Sequence, residues 1–139
     1  SAYRCGIAYR KGVTLQPGLT GTATLVVAEA DTALFLGSGD VPVLATPKVV
    51  LLAEQAAVSA CDGHLPEGRT TVGYRVQLDH LAPTGIGGSV TAEATLRTIE
   101  GRRLTFVVSV KDDRGLVAAG RLTRVVVERD RFLGNAGGE

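Results

Sequence analysis

Thr46-Pro47-Lys48-Val49-Val50-Leu51-Leu52-Ala53-Glu54-Gln55-Ala56-Ala57-Val58-Ser59-Ala60-Cys61 is the stretch on which the fold turns. It predicts a helix with a marked start. Threonine is a favoured N-cap, because its hydroxyl accepts a free first-turn N–H, and proline at the next position gives up nothing there. The helix is expected over about Pro47 to Cys61. At about 100° per residue, Glu54 falls in the middle of a face made by Val50, Leu51, Ala57, Val58 and Cys61. Lys48, Gln55 and Ser59 lie opposite. A carboxylate therefore sits inside the helix's own apolar stripe, and that placement needs an explanation.

Downstream of the helix the pattern changes period. Four extended segments are expected: Thr71 to Leu81, Ser89 to Ile99, Leu104 to Lys111 and Leu116 to Glu128. Glu100-Gly101-Arg102 and Asp112-Asp113-Arg114-Gly115 are tight turns, which join antiparallel neighbours. Val90, Ala92, Ala94 and Leu96 alternate with polar residues, as do Leu104, Phe106, Val108 and Val110, so each strand has one side to bury. The helix is the long apolar stripe available to cover them. The outcome is an α+β fold, a curved antiparallel sheet wrapped around one long central helix. Val125-Val126-Val127 is apolar on both faces and points to a second buried surface such as a subunit interface.

Upstream, Thr20 to Ala28 is β-branched and reads as a strand, and Ala30 to Leu36 has room for a helical turn or two. Residues 1–18 are weakly patterned, residues 19–133 form the single domain, and residues 134–139 are expected to be a frayed tail. The 139 residues suffice for one domain with a real core. A content of 45% hydrophobic and 21% charged residues excludes disorder. The net charge of +1 and the few aromatics leave no footprint for nucleic acid. No apolar run approaches the roughly 20 residues of a membrane span. Cys5 and Cys61 are too few for a disulfide framework; together with the lack of a visible export signal they suggest a reduced, cytoplasmic chain.

His80 is the second unusual residue. Val72, Tyr74, Val76, Leu78 and His80 share one face of their strand, so the histidine ends the core-facing row. Taken singly, each candidate has a plain structural explanation. His80 suits a core edge, bonded to a carbonyl; Glu54 suits an internal ion pair with an arginine such as Arg124; Thr46 suits a helix cap. Together, a carboxylate, an imidazole and a hydroxyl on facing surfaces form an acid–base and nucleophile group. His64 and His80 do not make a metal-ligand spacing, so no metal is expected. Thr84-Gly85-Ile86-Gly87-Gly88 leads into a strand and so offers no phosphate a helix N-terminus. Arg97, Arg102 and Arg103 are placed to touch a phosphorylated cofactor at a sheet edge, although such arginines are commonly a solvated face.

Ala45-Thr46, Glu54, Gly73, His80, Glu100-Gly101-Arg102-Arg103-Leu104, Gly120 and Arg124, taken together, resemble the hotdog-fold thioesterases, in particular the fluoroacetyl-CoA thioesterase group. The resemblance runs from about Thr20 to Phe132. It implies a hotdog fold and hydrolysis of an acyl-CoA thioester, with coenzyme A entering as part of the substrate and no other cofactor. It also implies a homodimer whose sheets join edge to edge, with the sites at the subunit interface. Thr46, Glu54 and His80 match the family's catalytic set, Gly73 the glycine near the thioester carbonyl, and Arg124 an arginine that supports the site. One departure concerns the substrate. The fluoroacetyl-specific enzyme has a lid with phenylalanines just before its catalytic threonine, whereas here Gly37-Ser38-Gly39-Asp40-Val41-Pro42-Val43-Leu44 has no aromatic residue and Phe35 is the nearest. A small or medium acyl group is therefore favoured over fluoroacetyl. The rival readings are an enoyl-thioester hydratase or lyase on the same fold and a non-catalytic acyl-CoA or small-ligand binding module.

Overall fold

Helix α2 (Thr46–Cys61) lies in the concave face of an antiparallel sheet of five strands, in the order β3-β5-β6-β7-β4. These are β3 (Thr20–Val26), β4 (Arg69–His80), β5 (Ser89–Glu100), β6 (Arg103–Asp112) and β7 (Gly115–Glu128). A two-stranded ribbon of β1 (Tyr3–Arg4) and β2 (Ile7–Ala8) precedes them. A short helix, α1 (Ala33–Leu36), leads toward α2, and α3 (Arg129–Asn135) follows the last strand. The computed structural model describes residues 3–4, 7–8 and 14–137. Cys5 and the last two residues of the expected tail lie outside them.

The two predicted tight turns close hairpins. Glu100 pairs with Arg103 across Gly101, whose φ of 64° suits a residue without Cβ. Asp112 pairs with Gly115, and the Arg114 amide donates to Asp112 Oδ1 at 2.8 Å. The alternating rows of β5 and β6 are fully buried as expected, from Val90 to Leu96 and from Leu104 to Val110. Against them α2 sets Val49, Leu52, Ala53, Ala56, Ala57 and Ala60. The alanines bring the helix backbone close to the sheet. At Gly21 of β3 a Cβ would run into the Ala56 carbonyl oxygen and the Ala60 amide nitrogen, so that position requires glycine.

Two expectations are corrected here. The buried face of α2 is not the one centred on Glu54. It is rotated by about a third of a turn, leaving Glu54 on the flank and Leu51 and Val58 44% and 49% exposed. Small residues win the core face because they allow the closest approach. The row from Val72 to His80 is also broken, by a bulge between Gly73 and Arg75. One extra residue reverses the side-chain alternation. Val76, Leu78 and His80 stay on the α2 side, whereas Val72 pairs with Val125 on the outer face and Gly73 pairs with Arg124 on the inner one. Beyond β7, α3 runs to Asn135. Its Phe132 lies with Val125 and Val127 along an outer groove, so the doubly apolar end of β7 is covered partly from within the chain.

Candidate active site

Thr46 is the first residue of α2, and the capping position belongs to Ala45, whose backbone is extended at φ −75° and ψ 142°. The Thr46 hydroxyl therefore makes no cap, contrary to the sequence expectation. It is hydrogen-bonded to His80 Nδ1 at 2.8 Å instead. His80 ends β4 and is half-buried. Burial pushes its pKa below the ordinary imidazole value, and the Ala82 backbone works in the opposite direction. A neutral ring follows, able to take a proton from the hydroxyl when Nδ1 is the unprotonated nitrogen. His80 Nε2 is buried without a hydrogen-bond partner among the described residues. The pair borders a cavity of about 340 Å³ whose walls include Ser38, Gly39, Val41 and Leu81. Phe35, 62% exposed on α1, is not among its walls.

Glu54 occupies a second cluster. Its Oε2 accepts from Arg124 Nη1 at 3.1 Å. Arg124, on the inner face of β7, is 7% exposed and is fixed by two further donations, from Nε to Thr71 Oγ1 at 2.9 Å and from Nη2 to the Thr71 carbonyl at 3.0 Å. The ion pair named as the plain explanation for Glu54 is thus present. It leaves the carboxylate about a third exposed, at 30%. Gly73 faces this carboxylate: a Cβ there would lie 2.5 Å from Glu54 Oε2 and 3.7 Å from Arg124 Nη1. Cys61, two turns further along α2, is buried, and burial pushes its thiol up to about 11 despite Arg124 pulling the other way. It stays a thiol at neutral pH and is no nucleophile.

One chain therefore brings together Thr46 with His80, and Glu54 with Gly73 and Arg124, but not the two groups with each other. Eight positions along α2 separate Thr46 from Glu54, a rise of about 12 Å. Thr71, which clamps Arg124, was not singled out from the sequence. Its signal was slight, a threonine in a strand with no partner yet assigned. His64, expected in an exposed loop, is half-buried. Among the described residues no group of three His, Cys, Asp or Glu side chains is placed to hold a metal ion, and no helix is long and apolar enough to cross a membrane.

A curved antiparallel five-stranded sheet around one helix is the hotdog fold. Comparison with known proteins narrows this. Residues 27–130 match the family model described as fluoroacetyl-CoA-specific thioesterase, and the chain belongs to that family. It is 37% identical over 90 residues to the fluoroacetyl-CoA thioesterase of Streptantibioticus cattleyicolor, a match spanning 65% of this chain and 65% of that enzyme. A solved structure of a fluoroacetyl-CoA thioesterase superposes with a TM-score of 0.81 at 31% identity, covering 88% of this chain and 95% of that one. A thioesterase superfamily member from Thermus thermophilus gives a TM-score of 0.80 at 28% identity, covering 86% and 89%.

Proposed function

We propose that the protein hydrolyses the thioester of a small or medium acyl-CoA to the free acid and CoA. The observation that carries this reading is the Thr46–His80 hydrogen bond at the edge of a cavity without aromatic walls. Glu54 acts as general base for a water that adds to the thioester carbonyl, or as nucleophile, in which case the acyl–Glu54 anhydride left after the thiol departs is hydrolysed by water to the free acid. The carbonyl oxygen takes up the negative charge, and the Gly73 N–H contributes to its stabilisation. Collapse breaks the C–S bond, His80 supplies proton transfer, and Thr46 orients and polarises the reacting groups.

This chemistry needs Glu54 near Thr46 and His80, which one chain keeps about 12 Å apart along the helix. A homodimer resolves the separation. β4 has a free outer edge of 12 residues, and the flank of α2 carries exposed Leu51 and Val58 beside Glu54. Joining two β4 edges about a two-fold axis would place the partner's Glu54 against Thr46 and His80, giving two sites per dimer. The buried free thiol of Cys61 fits a reducing, cytoplasmic setting.

Thiol release across a panel of acyl-CoA esters tests the reaction. Turnover of acetyl- to octanoyl-CoA, abolished by Glu54→Gln and by His80→Ala, is expected; no turnover by the wild type overturns it. Loss of enoyl absorbance without thiol release would assign a hydratase instead, and binding without turnover a ligand module. Mixing Thr46→Ala and Glu54→Gln subunits tests the shared site. An equimolar mixture, about half of it hybrid dimers with one of two sites intact, should recover about a quarter of wild-type activity, whereas sites built within one chain recover none.

A further inference from the structure

Strands β4 and β5 follow one another in the chain but are not neighbours in the sheet, so residues 81–88 must cross the ends of β7 and β6 to join them. The crossing touches the approach to both residues of the Thr46–His80 pair. It begins directly after His80, where the Leu81 and Ala82 amides both donate to the Val117 carbonyl, at 2.7 and 3.2 Å. Further on it pairs with the segment that enters Thr46. The Leu44 amide donates to the Thr84 carbonyl at 2.8 Å, and Val43 is bridged to Gly85. Thr84 is the buried residue of the crossing, 4% exposed, while Leu81, Pro83 and Gly85 to Gly87 face solvent. Its hydroxyl donates to Asp112 Oδ2 at 2.8 Å, in the β6–β7 turn. Its methyl is seated so closely that a Cβ on Gly88 would come within 2.6 Å of it. The buried polar and charged residues among those described are Asp31, Thr32, Thr84 and Arg124. Burying such groups costs free energy unless they are paired, so their placement is informative. Arg124 holds Glu54, and the other three surround Leu44 and Ala45: the Asp31 carbonyl accepts the Ala45 amide at 2.9 Å, and Thr32 is bridged to Leu44.

We propose that Thr84 and Asp112 are positioning residues for the reaction: their hydrogen bond pins the crossing so that the Thr46 hydroxyl and the His80 ring stay in register. The effect on rate rests on the thioesterase reading, which it deepens by adding two side chains that act through others. The hairpin does not need this bond, because Asp112 already pairs with Gly115 and its Oδ1 accepts from the Arg114 amide at 2.8 Å. The Thr84 hydroxyl and then the Arg114 amide hold the Asp112 carboxyl below the usual carboxylate range, so it is ionised and accepting at neutral pH. Without the Thr84 hydroxyl, the half-buried carboxylate turns to water and the crossing loses its anchor to the sheet. Leu44, two residues before Thr46, then moves on one side, and Ala82, two residues after His80, on the other. A shift of an ångström between reacting groups is felt strongly in the rate.

Acyl-CoA kinetics and an NMR titration of His80, assigned with His64→Gln, test this together. Thr84→Val keeps the shape of the side chain and should lower kcat about tenfold with KM little changed; Asp112→Ala should do the same, and Thr84→Ser should restore the rate. In a Thr46→Ala background, Thr84→Val should cost less than about twofold, since the hydroxyl to be positioned is gone. Burial is the main cause of the lowered His80 pKa, and no neighbouring charge contributes, so loosening the crossing in Thr84→Val should move the titration up by about half a unit. Wild-type kcat in Thr84→Val and Asp112→Ala, or an equal loss from Thr84→Val in both backgrounds, overturns the proposal while leaving hydrolysis standing. Where the wild type releases no thiol, the thioesterase reading falls and the titration decides alone: a shifted His80 keeps the positioning role, and an unshifted one overturns it.

Discussion

Thr46 Oγ1 lies 2.8 Å from His80 Nδ1, joining the first residue of the central helix to the last residue of the edge strand. The hydroxyl is free for this because Ala45, not Thr46, holds the capping position. A residue type usually spent on starting a helix is thereby turned toward the imidazole.

The state of His80 sets the expected pH dependence. Its folded-state pKa is below the ordinary 6.5 because burial disfavours the cation. In the proposed mechanism the neutral ring is the active form, so kcat/KM should be full at neutral pH and fall as pH drops through the lowered pKa, with a midpoint under about 6.5. Stability has the same sign. The unfolded chain binds the proton more readily, so the contribution present above about pH 6.5 is lost as pH falls from there. His80→Gln should flatten the acid loss of Tm, and Thr46→Ala should lower kcat by about 10²–10⁴ while Thr46→Ser retains much of it.

Arg124 and Glu54 should separate stability from activity. Arg124 makes three hydrogen bonds from a nearly buried position, to Glu54 and twice to Thr71. Arg124→Met is expected to cost about 2–4 kcal/mol, read as a lowered urea midpoint, since Thr71 and Glu54 lose their donor. Glu54 is partly exposed, so Glu54→Gln should stay within about 1 kcal/mol of wild type yet remove turnover. Equal destabilisation by the two would assign Glu54 to structure.

Two glycines predict opposite outcomes. Gly73→Ala presses on the end of a glutamate side chain, which can shift without moving backbone. Activity should fall by about 10²-fold from a misplaced carboxylate, with Tm little changed. Gly21→Ala presses on the backbone of α2 at Ala56 and Ala60. It should destabilise by about 1–3 kcal/mol or more through overpacking, leaving KM of the folded fraction near wild type.

The cavity beside Thr46 and His80 should set acyl length. Val41 is 49% exposed and forms part of its wall. Val41→Phe places an aromatic ring where this chain has none. It should lower kcat/KM for hexanoyl-CoA and octanoyl-CoA well below that for acetyl-CoA, with the discrimination reaching about 10–200-fold. A chain-length profile unchanged from wild type would remove the cavity from acyl recognition.

The central helix, the two tight turns and the buried rows of β5 and β6 were legible in the sequence, because each depends on neighbours a few residues apart. Local period and turn chemistry are sufficient there. Glu54 and His80 were also legible as residues out of place, whereas Thr46 read as a cap and stood out only through the family pattern. Their partners were a different matter. The phase of α2 was misread because core packing chose the alanine face over the larger apolar one. The bulge at Tyr74 is encoded by no local rule that separates it from a regular strand, yet it decides which way Gly73 and Tyr74 face. That Thr46 meets His80, that Thr71 clamps Arg124 beside Glu54, and that Thr46 and Glu54 stay two helical turns apart are matters of tertiary register. The sequence by itself determined the elements and the chemical groups they carry. Long-range pairing between strands and the close approach of helix to sheet decided which of those groups touch.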